Sequence, residues 1–137
     1  MARRLRHEDG ASAVEMALLA PLLFILLFGI IEFGLAFLQV QSIKTGVREG
    51  GRAAAVGWSA TAVQQKTIDA SSGAIPDSPL SDVGVSQQCT AQNIGSDVIV
   101  SYDTTHLNDG DGIVVRIPML PDIHLTPDIQ AQFRCEV

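Results

Sequence analysis

The side chains of this sequence that could do chemistry are few, and two of them stand where charge is expensive. Glu15 and Glu32 are the only charged residues between Ala11 and Val40. A carboxylate inside hydrocarbon costs on the order of 2–3 kcal/mol, or is neutralised, unless it finds a partner. On position alone Glu15 reads as an interfacial residue snorkelling towards headgroups, unless the rest of the chain gives it another role. Glu32 lies either at the opposite interface or against a basic group on another chain. The two cysteines, Cys89 and Cys135, read most simply as one disulfide, the alternative being two buried thiols; two cysteines alone make a poor metal site. His7, His106 and His124 are scattered, with no Ser-His-Asp or Cys-His pattern and no Gly-rich phosphate loop to join them. Asn108-Asp109-Gly110-Asp111-Gly112 holds a D-x-D-G fragment, but it lacks the later Glu and the third spaced ligand of a calcium loop. It reads instead as an Asp/Gly turn between strands. Trp58 and Tyr102 read as packing residues. No catalytic residue, metal ligand or cofactor site is expected, and the sequence is read as that of a protein that is not an enzyme.

The element that positions both carboxylates is one long helix. Met16 to Ile31 (MALLAPLLFILLFGII) contains no charged residue, and its flanks extend the apolar character from Ala11 to Val40. Those thirty residues make about 45 Å of helix at 1.5 Å per residue, against about 30 Å for a bilayer core. A helix apolar on all faces over this length belongs in a membrane. Arg3, Arg4 and Arg6 precede it, so the positive-inside rule keeps the N-terminus in the cytoplasm and sends the remainder across. Gly34-Leu35-Ala36 is a weak candidate for ordinary signal cleavage, with Glu32 just before it and an over-long apolar run. Pro21 is expected to kink or loosen the helix, while Gly29 and Gly34 permit a neighbour to approach.

Beyond the apolar stretch, Phe37, Val40, Ile43, Val47 and Ala54 keep helical spacing, with Gln41, Lys44, Arg48 and Arg52 on another side. The helix is expected to end near Val56-Gly57. A second helix, capped by Ser59 or by Thr61 with Gln64, runs to about Ser72. The period then changes to two. Val83 and Val85, then Val98, Val100 and Tyr102, alternate with polar residues, and Gly112 to Ile117 and Ile129 to Val137 are further strand candidates. Pro118, Pro121 and Pro127 confine their region to edges and turns. The fold class is α+β: a long N-terminal transmembrane helix extending into a small exported domain with a short helix and a three- to four-stranded antiparallel sheet. The chain of 137 residues carries a net charge of −6, and no basic cluster follows the N-terminus, which argues against nucleic acid. Both cysteines fall on the exported side, where a disulfide closing their loop adds roughly 3–4 kcal/mol.

The stretch Gly10-Ala11-Ser12-Ala13-Val14-Glu15-Met16-Ala17, followed by Leu18 to Pro21, Phe28 to Gly34 and Val47 to Ala54, resembles the TadE-like family. These are minor pilins or pseudopilins of the tight-adherence (Tad/Flp) pilus system. The resemblance is close over about the first 56 residues, and the rest matches only in general layout. It implies a prepilin: a leader of residues 1–10, a transmembrane and stalk helix over 11–56, and an exported head over 57–137. A membrane-embedded prepilin peptidase would cut between Gly10 and Ala11, leaving Glu15 as the fifth mature residue; Met16 stands where many prepilins carry Phe or Tyr. The new ammonium group of Ala11 and the Glu15 carboxylate would then pair, since two buried charges that meet are far cheaper than two left alone. The partners implied are the membrane, the peptidase, other pilin or pseudopilin subunits and the inner-membrane assembly platform. The rival reading is an uncut, single-pass envelope protein whose exported domain binds a ligand or partner.

Overall fold

The structure, a computed structural model, describes residues 6–76 and 79–137. Its spine is helix α1 (Arg6–Ala55), 50 residues long and about 75 Å from end to end. It runs without interruption through Pro21. Its end is fixed by a Schellman motif: Gly57, at φ +83°, donates its N–H to Ala54 O (3.0 Å) and Trp58 donates to Ala53 O (3.2 Å). Only glycine adopts that left-handed position without penalty, so the stop is written in Gly57 itself.

Helix α2 (Ala60–Ala70) starts at Ser59, whose hydroxyl accepts from the Ala62 amide. Of the two expected caps, Ser59 is the one used. Gln64 instead donates its side-chain N–H to Val83 O at 3.0 Å, tying α2 to the first strand. Helix α2 packs back against α1 over Gly46 and Gly50. A Cβ at Gly46 would strike the Thr67 carbonyl, and one at Gly50 the Thr67 hydroxyl. The two helices therefore meet through a Gly-x-x-x-Gly face that brings their backbones close.

Three strands, β1 (Val83–Val85), β2 (Asp97–Asp103) and β5 (Asp128–Arg134), form an antiparallel sheet in the order β1-β2-β5. Val83 and Ile129 both stand opposite Tyr102, and Val100 lies opposite both Val85 and Ala131. Alternation in β2 turns Val98, Val100 and Tyr102 inwards, all fully buried, against Ile43, Val47 and Ala54 of α1. The strands expected around these residues are all present. A second, two-stranded sheet pairs β3 (Ile113–Val115) with β4 (Ile123–Leu125), in register Val114 to His124. Strand β4 is an addition to the sequence reading and lies between Pro121 and Pro127, in the stretch assigned to edges and turns. The C-terminal half of α1 is thus the floor of the α+β head rather than a rod leading to it.

Candidate functional site

Large apolar side chains from Val14 to Leu38 stand open on α1, from Phe28 at 42 % to Leu18 at 75 % exposed. The most apolar eighteen-residue window has a mean hydropathy of 2.6, and none of it is buried in the fold. A soluble core helix would be covered; this segment is uncovered, and it is long and apolar enough to cross a membrane. At its N-terminal end Gly10 and Ala11 lie in helix and are exposed. Glu15 is also exposed, four residues after Ala11 and so on the same helix face. Seventeen residues further on stands Glu32, about 26 Å away along the axis. The structure does not bring the two carboxylates together.

Glu32 has a specific neighbour. Its Oε2 accepts from the Arg116 backbone N–H at 3.4 Å, a contact between residues 84 apart in sequence. The β3–β4 hairpin makes this contact by descending along α1. From Val115 the chain passes Glu32 at Arg116 and reaches Gly29 at Ile117, whose Cδ1 is 3.8 Å from where a Cβ of Gly29 would sit. Ile117 closes a shallow apolar groove with Ile25, Gly29 and Phe33, and Leu125, on the returning strand, closes a second with Ala36, Phe37 and Val40. Gly29 is therefore a contact point for the chain's own hairpin. Sequence reasoning missed this pairing; the only signal was the Pro118–Pro121 pair that marks the turn.

The hairpin is braced by polar contacts. His124 Nδ1 lies 3.2 Å from Asp111 O and 3.6 Å from its carboxylate, and Asn108 donates to Gly112 O at 2.6 Å. Asn108 and Asp109 adopt positive φ, as do Gly110 and Gly112, so the D-x-D-G fragment is a turn, as expected. Among the described residues no three His, Cys, Asp or Glu side chains converge as metal ligands. Asp103 accepts from the Thr105 N–H at 2.9 Å; that bond first, then the Thr105 hydroxyl and nearby His106, holds its carboxyl below the usual value. At the far end of the head Cys89 and Cys135 form a disulfide, with Cα atoms 5.3 Å apart. It sits beside the end of α1, where Cys89 O and Val137 crowd Gly57 and Glu136 donates to Ala55 O. Tyr102 is fully buried, whereas Trp58 is half exposed at the turn between the helices.

The family model described as TadE-like protein matches residues 10–52. The match begins at Gly10, takes in Glu15 and Glu32, and ends just past the Gly46 and Gly50 face. It bears out the resemblance seen in the sequence over that segment. No curated protein and no solved structure matches the chain.

Proposed function

We propose that this chain is a minor pilin or pseudopilin of a Tad-type pilus, cut after Gly10 by a prepilin peptidase and acting in pilus assembly, adherence or secretion. The observation that carries this reading is the TadE-like match, which opens at Gly10 with Glu15 five residues on. It associates the chain with the Tad pilus system and with a family of structural rather than catalytic proteins. The exposed apolar helix supports single-pass insertion, with the leader arginines in the cytoplasm, residues 11–56 as one helix that spans the membrane and continues beneath the head, and residues 57–137 outside. The disulfide fits an oxidising, extracytoplasmic compartment.

The division of labour follows from charge and packing. Removing Met1 to Gly10 takes away three arginines and leaves an ammonium group on Ala11, on the helix face that carries Glu15. The exposed apolar side chains of the membrane-spanning part of α1 are free to exchange lipid for the helices of other subunits, since lipid and side chain are equally apolar. Intact mass measured from membranes, with and without co-expressed peptidase, tests the proposal. Loss of residues 1–10 that depends on the peptidase and is abolished in Gly10→Val is expected. A full-length chain under both conditions would sink the prepilin reading and leave an anchored envelope protein.

A further inference from the structure

The turn between β3 and β4 has a composition and a height on the molecule that its place in the fold does not require. Ile117 O accepts from Leu120 N–H at 3.1 Å, with Pro118 second and Met119 third in the turn at φ +71°. This is the pattern of a type II turn, whose third position favours glycine. Here it carries methionine, a large side chain in a strained backbone region. Met119 is 86 % exposed and Leu120 49 %, although both are apolar. Of the four residues 118–121, the two prolines carry no N–H and that of Leu120 is already bonded, so at most one backbone donor would be stripped of water on leaving solvent. Just behind the tip, Arg116 Nε and Asp122 Oδ2 pair at 3.5 Å. The turn is thus apolar at its tip and charged at its base.

Its height matches. The base of the turn is level with Glu32, the first charge after the apolar run of α1, because Arg116 N–H contacts that carboxylate. Past that level Ile117 lies against Gly29 and Ile25, three to seven residues nearer the N-terminus, a descent of about 5–10 Å. The hairpin therefore changes from charged to apolar at the level where the helix carries the Glu32 carboxylate, and an interfacial apolar element is buried about 5–10 Å into the headgroup and acyl boundary.

We propose that the Ile117–Asp122 turn is a membrane wedge: Met119 and Leu120 enter the leaflet from which α1 emerges, while Glu32, Arg116 and Asp122 form a polar collar among the headgroups. The inference rests on α1 spanning the bilayer. Its consequence is a head that sits down on the membrane instead of standing off on a stalk, with the span confined to about Ala11–Phe28, roughly 27 Å of helix. Withdrawal of the subunit from the membrane would then have to release the wedge as well as the helix.

Both native cysteines are paired, so a single introduced cysteine takes an environment-sensitive dye. Full-length protein carrying Met119→Cys, Phe24→Cys or Gln92→Cys would be reconstituted in vesicles of phosphatidylcholine with a minor fraction of phosphatidylglycerol. Quenching would be read with aqueous iodide and with lipids spin-labelled near the headgroup or near the chain end. Position 92 is the solvent control, in the loop between Cys89 and β2 at the opposite end of the head. The wedge requires the dye at 119 to lose iodide quenching and to be quenched best by the shallow spin label, with the dye at 24 quenched best by the deep one. Iodide quenching at 119 equal to that at 92, with 24 lipid-quenched, overturns the wedge and leaves the membrane span standing. Protection from iodide without lipid quenching overturns it in favour of a second copy covering the turn. If the dye at 24 is not lipid-quenched either, the span itself has failed and the wedge with it.

Discussion

Gly50 illustrates how a residue's neighbours reverse the sign expected from its own preference. In an isolated helix alanine is better than glycine by about 1 kcal/mol, so Gly46, Gly50 and Gly51 look like weaknesses in α1. The structure gives each a neighbour: Thr67 for Gly46 and Gly50, and the Phe133 ring, 2.5 Å from a Cβ placed on Gly51. We expect Gly50→Ala to destabilise the detergent-solubilised protein by about 1–3 kcal/mol in thermal or denaturant unfolding, since the added methyl meets the buried Thr67 hydroxyl, which is held by its hydrogen bond to Val63 O at 2.9 Å. Gly34→Ala, with nothing within 4 Å, is expected to change stability by less than about 0.5 kcal/mol. Asp103 carries a smaller effect, in pH. Its carboxyl titrates below its unfolded value of about 3.9. The stabilisation is therefore present above that pH and lost as pH falls through the folded value. An NMR titration should find its midpoint below that of an unbonded Asp, and in Thr105→Pro, which removes the donating N–H, the midpoint should return towards the ordinary value.

The β3–β4 hairpin and the helix are joined by contacts of unequal strength. Ile117 and Leu125 supply apolar burial on α1, whereas Glu32 to Arg116 N–H is one long hydrogen bond. Such a bond is worth about 0.5–1.5 kcal/mol net. Glu32→Ala should therefore raise amide exchange at Arg116 by a few-fold to about tenfold while leaving β2, held between β1 and β5, unchanged. Glu32→Gln keeps an acceptor oxygen and should show less. If exchange rises equally across both sheets, the carboxylate supports the whole head and not the hairpin alone.

The molecule is held at its two ends by different means. Towards the exposed apolar segment the head grips α1 through the hairpin; at the other end the disulfide closes a loop of 46 residues beside the Schellman turn. The chain-entropy account gives such a loop about 4 kcal/mol. For a head this small that is a large share of its stability. Reduction, or Cys89→Ser with Cys135→Ser, should lower the unfolding free energy of the head by about 2–4 kcal/mol in denaturant titration. The anchor should be unaffected, since its helix satisfies its own backbone in lipid.

What the sequence determined by itself is local: the apolar run of α1, its stop at Gly57, the Ser59 cap, the alternation of Val98, Val100 and Tyr102, and the N-terminal resemblance to the TadE-like family, which the family match bears out over residues 10–52. Each is a preference of a few consecutive residues, readable from period, cap or spacing. Strand β4 escaped because three residues between two prolines are too few to carry a readable period. Only the tertiary structure decided that Gly46 and Gly50 admit Thr67 and that Glu32 meets a backbone amide 84 residues away. The physical reason is that residues far apart in the chain meet only once whole elements have packed. Packing is set by the shapes of the faces in contact, and no single stretch of sequence contains both.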